Sequence, residues 1–196
     1  MKKVVLVAFM SSCFCFAAHA QSKFSIGPNA GFGHTWVSNS NNVQFKLAAN
    51  AGVSLVYSAS EHFGIGLDAK YSYEGVKTGS SAANSLDLNY FRFPLKAIYF
   101  FNGYGNALRP KIFVGPSLGL LSSVKADGVD LKSSFNSTDW GITGGVGLNY
   151  RLAQNTWFNA DLSYLNGLSN ITKNTATSIK NQNRNVQLNV GVNFGL

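Results

Sequence analysis

Side chains suited to catalysis or metal binding are few and widely separated in this 196-residue sequence. Beyond residue 20 only two histidines remain, His34 and His62, and the strands predicted below place them at opposite ends, so they cannot share a metal ion. A hydrolase needs a serine, a histidine and a carboxylate side by side. The nearest set, Ser72, Glu74 and His34, is brought together by no predicted pairing. The sequence therefore predicts no enzyme, cofactor or metal site.

The charged residues are a second source of chemistry, although they make up only 12% of the chain. Arg92 and Lys96 lie within NYFRFPLKAIYFF, residues 89–101, among aromatic and aliphatic side chains. A buried unpaired charge costs several kcal/mol, so both cations need water or carboxylate partners. The formal net charge of +8 is otherwise scattered without a basic run, and nucleic acid is therefore not an expected partner.

The elements that must position these charges are β-strands. After residue 21, apolar and polar side chains alternate with a period of two. In FKLAANAGVSLVY, residues 45–57, most apolar side chains occupy the odd positions, and FGIGLDAKYSY, residues 63–73, repeats the pattern. Eight strands are predicted with no amphipathic helix between them. They cover residues 24–37, 45–57, 63–73, 86–100, 111–122, 139–151, 156–165 and 185–196.

The connections between these strands alternate in length. The tight or moderate ones are 58–62, 101–110 and 152–155, and the longer polar ones are 38–44, 77–85, 123–138 and 166–184. Short turns on one side and long loops on the other indicate an antiparallel meander, and a meander of eight strands closes to remove its edges. The predicted fold is all-β, an eight-stranded antiparallel up-and-down transmembrane β-barrel.

Two environments could explain the apolar face of such a barrel. In a lipocalin-like periplasmic barrel the apolar face surrounds a ligand, whereas in an outer-membrane barrel it meets lipid and the lumen is polar. Strands of about 10 to 14 residues suit a tilted bilayer crossing, which needs about 9 to 11. Aromatic residues such as Trp36 and Tyr150 stand near the strand ends, as in interfacial girdles. These features favour the cell outer membrane, with its lipids as partners.

In an outer-membrane barrel, the weaker face of each strand points into the lumen. With Phe91 and Phe93 toward lipid, Arg92 and Lys96 point inward, where carboxylates on other strands can meet them. An eight-stranded barrel is just wide enough for side chains to fill. We therefore predict a packed ionic plug without an open pore, and a gated proton or ion path is the alternative. The predicted lumen charge cluster is Lys46, Asp68, Lys70, Glu74, Arg92, Lys96 and Asp161.

The N-terminus, MKKVVLVAFMSSCFCFAAHAQ, has the layout of a secretory signal peptide: two lysines, an apolar run and a small-x-small site. Cleavage is predicted between Ala20 and Gln21, which leaves a barrel domain of residues 21–196. Both cysteines, Cys13 and Cys15, then depart with the signal. In the alternative, residues 10–13 form a lipoprotein box and Cys13 carries lipid at a new N-terminus.

The C-terminus NVGVNFGL resembles the assembly signal of outer-membrane barrels through Asn189, Gly191, Phe194 and Leu196. YFRFPLK, residues 90–96, and VGPSLGLL, residues 114–121, resemble the fourth and fifth strands of the PorT-like outer-membrane β-barrel family of Gram-negative bacteria. The resemblance covers residues 24–196, and the architecture is similar to the small OmpX and OmpA barrels. Arg92 departs from the family pattern, which commonly has an acidic residue there. The resemblance implies the barrel-assembly machinery as a partner.

The function predicted from these features is a structural or surface-interaction role for a small integral barrel that displays its loops. The alternative is a transport or secretion component, either a narrow channel or a PorT-like accessory of a protein-export machine, with an envelope or secretion protein as partner. Flux of a solute through the barrel, or association with export subunits, would distinguish the alternative from the main prediction.

The loop 166–184 carries three cations and no carboxylate, and its Asn, Ser and Thr content predicts a mobile, solvated segment. Cations at the border of a strand and a loop are expected to be attracted to anionic head groups, each weakly. The predicted head-group contacts are Lys173, Lys180 and Arg184. The alternative is that these charges only maintain solubility.

Overall fold

The computed structural model describes residues 23–79, 85–173 and 180–196, and most of these residues are in β-strands. The predicted signal segment, with Cys13 and Ala20, lies outside the described residues, and so does Gln21, the first residue of the predicted barrel domain. Within those ranges no helix has the length and apolar character needed to cross a bilayer. The strands are β1 (Phe24–Val37), β2 (Val43–Gln44), β3 (Leu47–Ser58), β4 (Phe63–Thr78), β5 (Ser85–Phe100), β6 (Leu108–Ala126), β7 (Val129–Asp130), β8 (Thr138–Ala153), β9 (Thr156–Gly167) and β10 (Asn183–Gly195).

The eight long strands among these form a closed antiparallel sheet. Each pairs with the preceding and the following long strand, and β1 pairs with β10 to close the ring. The predicted eight-stranded antiparallel barrel is therefore confirmed. The closing register runs from Ser25 opposite Gly195 to Val37 opposite Asn183, with a gap at Gly27 and Pro28. Proline has no N–H to donate to a neighbouring strand, which accounts for the gap.

The outer wall carries the apolar side chains at alternate positions of every long strand, because side chains alternate between the two faces of a sheet. Phe91 and Leu95 are exposed on this wall, on either side of the buried Arg92. Aromatic side chains stand near both ends of the wall. On β8, Trp140 and Tyr150 are ten residues apart, which is about 33 Å along the strand and about 25 Å along the axis of a tilted barrel. That height matches the apolar band of outer-membrane barrels.

The two ends of the barrel differ in their connections. The end at which the described residues begin and finish, Lys23 and Leu196, has short turns and is called the terminal end. The opposite end, called the loop end below, has the longer loops. Strands β4 and β6 reach Thr78 and Ala126, beyond their predicted ends. After β6, Asp127 and Gly128 both have positive φ, at 50° and 86°. That conformation matches a tight type I′ hairpin turn and explains the Asp-Gly sequence before β7.

The loops at the loop end pack against one another. Phe135 and Thr172 form a β-bridge, the Asn136 N–H donates to the Ile171 carbonyl at 2.8 Å, and the Lys173 N–H donates to the Ser134 carbonyl at 3.0 Å. The prediction of a solvated loop is therefore wrong at Ile171, which is only 1% exposed and packs residues 166–173 against the neighbouring loop. Residues 174–179 lie outside the described part.

An apolar core fills the barrel beneath these loops. It joins inward-facing side chains of four strands, β1, β4, β5 and β6, to one residue from each of the two packed loops. Its buried members are Val37, Val76, Leu88, Tyr90, Leu121, Val124, Phe135 and Ile171. Among the described residues, apolar side chains thus occupy the interior at the loop end.

Candidate functional site: the barrel interior

The interior below the apolar core holds charged side chains in two groups. The arginine group is defined as Arg92, Glu74 and Asp139, and the lysine group as Lys70, Lys96, Lys111, Asp68 and Asp161. Each group draws residues from several strands, because the face opposite the apolar wall points inward all around the barrel. Together the two groups carry four cations and four carboxylates.

The arginine group, nearer the loop end, is compact and almost completely buried. Arg92 Nη2 donates to Glu74 Oε2 and to Asp139 Oδ2, both at 2.6 Å, and Arg92 Nε donates to Glu74 Oε1. The three residues are 4%, 0% and 1% exposed. A guanidinium that forks onto two carboxylates forms strong, geometrically defined hydrogen bonds. One cation is therefore fixed between two anions.

Neighbouring side chains complete the arginine group. Ser72 Oγ donates to Glu74 at 2.7 Å, and Asn183 Nδ2 donates to Asp139 at 3.0 Å. The Tyr90 ring lies 4.7 Å from the guanidinium carbon. Strand β6 presents Gly119 directly opposite Arg92, and a Cβ atom there would lie only 2.9 Å from Arg92 Nη1. Glycine thus makes the space that the guanidinium occupies.

The lysine group lies nearer the chain termini and is looser. Lys96 Nζ donates to both oxygens of Asp68, at 2.9 and 2.8 Å, and Lys111 Nζ lies 2.9 Å from Asp161 Oδ1. Lys70 Nζ is farther from its nearest carboxylate, 3.7 Å from Asp68 Oδ2. Small cavities adjoin the group, lined by its own charged residues together with polar and apolar neighbours. Three cations here face two carboxylates.

A second apolar cluster lies at the terminal end of the interior. Phe100, Ile98 and Phe113 form a small apolar cluster there. The Arg109 guanidinium lies 4.1 Å from the centre of the Phe100 ring and donates to the Asn102 carbonyl at 3.0 Å and to the Glu61 carbonyl at 2.5 Å. Arginine stacked on an aromatic face combines a cation–π contact with broad coverage. We call this cluster with Arg109 the terminal seal.

Most of the predicted lumen cluster lies inside the barrel, divided between the two groups. Lys46 is the exception. Its Nζ lies 2.5 Å from Asp87, 2.8 Å from Ser85 and 3.4 Å from the Tyr73 hydroxyl. The prediction that Lys46 joins Asp68 and Glu74 is corrected accordingly. The physical reason is that Lys46 falls between β2 and β3, where the alternation of a continuous strand does not hold.

Sequence reasoning missed three interior cations or anions: Lys111, Asp139 and Arg109. Lys111 and Asp139 were the first residues of two predicted strands, and both stand two residues from other inward-facing positions, Phe113 and Gly141. That parity was the available signal. Arg109 lies just before its predicted strand, so no pattern placed it. The candidate triad is not assembled, because Ser72 and Glu74 are inside while His34 stacks on Trp36 at the outer wall.

The residues of the predicted assembly signal divide between the two faces of β10. Asn189 is inside, where its Oδ1 accepts from Asn50 at 2.9 Å and its Nδ2 donates to Ser163 at 2.9 Å. Gly191 pairs with Asn29 on β1, and Phe194 is exposed on the outer wall. The Leu196 N–H donates to the Phe24 carbonyl at 3.0 Å.

The three cations of the predicted head-group contacts occupy different settings. Lys173 Nζ donates to the Ser133 carbonyl at 2.9 Å within the packed loops. The side chain of Lys180 is exposed. Arg184 lies on β10 opposite Trp36, on the outward face. Within the described ranges, no cluster of three or more His, Cys, Asp or Glu residues has a metal-binding arrangement.

A closed barrel with an apolar outer wall and a charged interior defines the class of integral outer-membrane β-barrel proteins. Residues 5–194 match the model of the outer membrane protein beta-barrel domain, and the chain belongs to this family. The protein is therefore located in the outer membrane, where its outer wall meets lipid. In such barrels the short turns face the periplasm and the longer loops face outward.

Solved structures share this fold at low sequence identity. Neisserial surface protein A (NspA) has a TM-score of 0.64 and 18% identity over 91% of this chain and 100% of its own. OprG from Pseudomonas aeruginosa has a TM-score of 0.57 and 16% identity, covering 90% and 97% of the two chains. A search of curated protein sequences finds no significant match. At these identities the likeness concerns the fold.

Proposed function

We propose that this protein is a small outer-membrane barrel whose interior is closed by its own side chains, with a structural or surface-interaction role. The observation that carries the proposal is the succession of four layers of side chains along the interior. The apolar core lies beneath the loops, the arginine and lysine groups follow, and the terminal seal closes the periplasmic end.

This succession opposes the passage of ions by two physical effects. An ion that loses its water to enter the apolar core meets no compensating partner there, and in the terminal seal a cation also meets the like charge of Arg109. The arginine group is held by short hydrogen bonds, and moving Arg92 aside would leave Glu74 and Asp139 as unpaired buried anions. A solute would have to disrupt these contacts one layer after another along the whole interior.

The packed loops support a role at the cell surface. The bridge between Phe135 and Thr172, with the buried Ile171 beneath it, holds two loops in one arrangement. A surface that is already ordered loses less conformational entropy when a partner binds. The proposed role therefore uses this fixed loop surface, and no catalytic role is proposed for the interior.

Conductance in planar bilayers tests the closed interior. The full mature protein should show no steady conductance. The variant Phe135→Ala removes a large side chain from the apolar core, and it should conduct only if the arginine and lysine groups cannot close the barrel without that core. Steady conductance of the unaltered protein would contradict the proposal. A refolded protein that migrates faster on gels before heating than after it provides the control for correct insertion.

A narrow ion or proton path is the second candidate function, supported by the lysine group. Its small cavities and its excess cation are the features that such a path would need. Ion or proton flux in liposomes that is lost in the Lys70→Met variant would favour this candidate. The PorT-like export role predicts a different result, which is co-purification of the protein with export subunits.

We further propose that delivery follows the predicted route: signal cleavage between Ala20 and Gln21, and recognition of Asn189, Gly191, Phe194 and Leu196 by the barrel-assembly machinery. Intact mass measurement of the protein extracted from membranes should show a chain that starts at Gln21. A mass that includes Cys13 with attached acyl chains would replace this route with lipoprotein processing. Phe194→Ala should reduce the amount of folded barrel without changing the mature N-terminus.

A further inference from the structure

Arg184 is a cation on the outer wall whose charge is unpaired. It is the second residue of β10 and alternates with the exposed Val186 and Leu188 on the outward face. Among the described residues its guanidinium has no ion pair and no hydrogen-bond acceptor, and its Nε is buried. A partly buried guanidinium without an acceptor is unfavourable, so this position calls for an anion.

Aromatic rings form a continuous row on the wall beside Arg184. The centroids of His34 and Phe45 are 5.1 Å apart, those of His34 and Trp36 are 5.2 Å apart, and those of Trp36 and Tyr164 are 6.2 Å apart. All three pairs are stacked. Trp36 is directly opposite Arg184 in the register of β1 with β10. Such rings mark the depth at which acyl chains meet head groups, so Arg184 stands at head-group level.

A second cation lies above the first. Asn39 Nδ2 and Ser38 Oγ donate to the Lys180 carbonyl at 2.8 and 3.2 Å, which holds the main chain of Lys180 against the end of β1. Its side chain remains exposed, four residues before Arg184 and about 13 Å away along an extended chain. The described loop end as a whole carries an excess of positive charge once the Lys46–Asp87 pair is set aside. Its cations are Lys77, Lys125, Lys132, Lys173, Lys180 and Arg184, and its carboxylates are Asp127 and Asp130.

We propose that Arg184 and Lys180 bind the phosphate groups of an anionic glycolipid of the outer leaflet, whose acyl chains pack on the ring row from Phe45 to Tyr164. Guanidinium groups bind phosphate oxygens through paired hydrogen bonds, and lipid phosphates are the anions that lie at the depth of the aromatic row. The site is on the outer wall, so it depends on the outer-membrane location and not on whether the interior is closed.

Titration of the full mature protein in zwitterionic detergent with diphosphorylated lipid A, followed by native mass spectrometry, tests the site. Arg184→Gln should weaken binding about fivefold, the effect of removing one basic residue from an anionic lipid surface. Lys180→Gln should produce a similar loss, and Arg184→Lys a smaller one. The matched control is Lys23→Gln at the periplasmic end, which should leave the affinity unchanged.

Four results would overturn the proposal. They are an equal loss in Lys23→Gln, equal binding of phosphatidylcholine, unchanged binding in both Arg184→Gln and Lys180→Gln, and displacement of the lipid by millimolar inorganic phosphate, which would indicate a site for free phosphate. Heat-shifted gel migration shows whether each variant is folded. Lys180→Gln leaves the strand wall intact, so it tests the site even if Arg184→Gln does not fold.

Discussion

The arginine group and the lysine group occupy the same barrel interior but solve the problem of buried charge differently. In the arginine group one planar cation joins two carboxylates through three hydrogen bonds. In the lysine group three flexible cations share two carboxylates, and Lys70 stands 3.7 Å from its nearest partner. The comparison shows that the number and geometry of the hydrogen bonds to carboxylates depend on the shape of the cation as well as on its charge, although Arg92 Nη1 itself has no acceptor among the described residues.

The surroundings reinforce this difference. Gly119 leaves space for the Arg92 guanidinium against β6. Ser72 and Asn183 donate further hydrogen bonds to the carboxylates of Glu74 and Asp139. The lysine group borders small cavities, so its ammonium groups have room to move between acceptors. Substitutions in the arginine group should therefore be severe, and those in the lysine group should be buffered.

The largest effect is expected for Arg92→Met. The change leaves Glu74 and Asp139 buried without a cation, which should cost about 3 to 5 kcal/mol of unfolding free energy. Urea unfolding in lipid vesicles, followed by tryptophan fluorescence, measures the loss. A cost no larger than that of an exposed ion pair, about 1 kcal/mol or less, would show that the arginine group is hydrated and not closed.

A smaller effect should follow from Gly119→Ala, which leaves every charge in place. The added methyl would press on Arg92 Nη1 and on the Tyr90 ring, and overpacking of this kind costs about 1 to 3 kcal/mol. Gly144→Ala is the matched control, since its Cβ would meet no atom closer than 3.5 Å. Equal stability of the two variants in the same unfolding assay would mean that Arg92 can move freely.

Lys96→Met should cost less than Arg92→Met although it removes two hydrogen bonds to Asp68. Lys70 is near enough to take over the carboxylate, so a loss of about 1 to 2 kcal/mol is expected. The double variant Lys70→Met/Lys96→Met removes this substitute and should be destabilised by more than the sum of the single changes. Additive losses would argue against the exchange of partners.

The smallest effect is expected for Lys70→Met alone. The change leaves Lys96 and Lys111 to balance Asp68 and Asp161, and it removes the cost of burying an incompletely paired ammonium. Unfolding free energy should change by about 1 kcal/mol or less, in either direction. A loss as large as that of Arg92→Met would mean that Lys70 is an essential member of the ion network.

The strands were predictable because their two faces meet different environments, so apolar and polar residues alternate along each strand. The alternation in residues 24–37 gives the bounds of β1, and the residues around Arg92 and Lys96 follow the predicted parity. Prediction failed where the chain leaves a continuous strand. At Lys46 the side chain no longer follows the alternation, and its partner Asp87 was not considered.

The apolar core beneath the loops was also not predictable from the pattern. Phe135 and Ile171 are single apolar residues within polar segments, and a single residue has no period. Their burial depends on two loops that are distant in sequence and meet through the bridge between Phe135 and Thr172. Tertiary contact between the loops thus decides a feature that local composition obscures.

The gap at Pro28 divides the pairing of β1 with β10 into two parts that are expected to form and separate at different times. It divides the hydrogen-bonded register of β1 with β10 into nine residue pairs on the loop side and two on the side of the chain termini. The longer segment can form its hydrogen bonds cooperatively when β10 pairs with β1. The short segment must pair separately and frays most easily. Under mechanical or chemical stress the ring should therefore begin to part at Ser25 and Ile26, while its outer half stays shut.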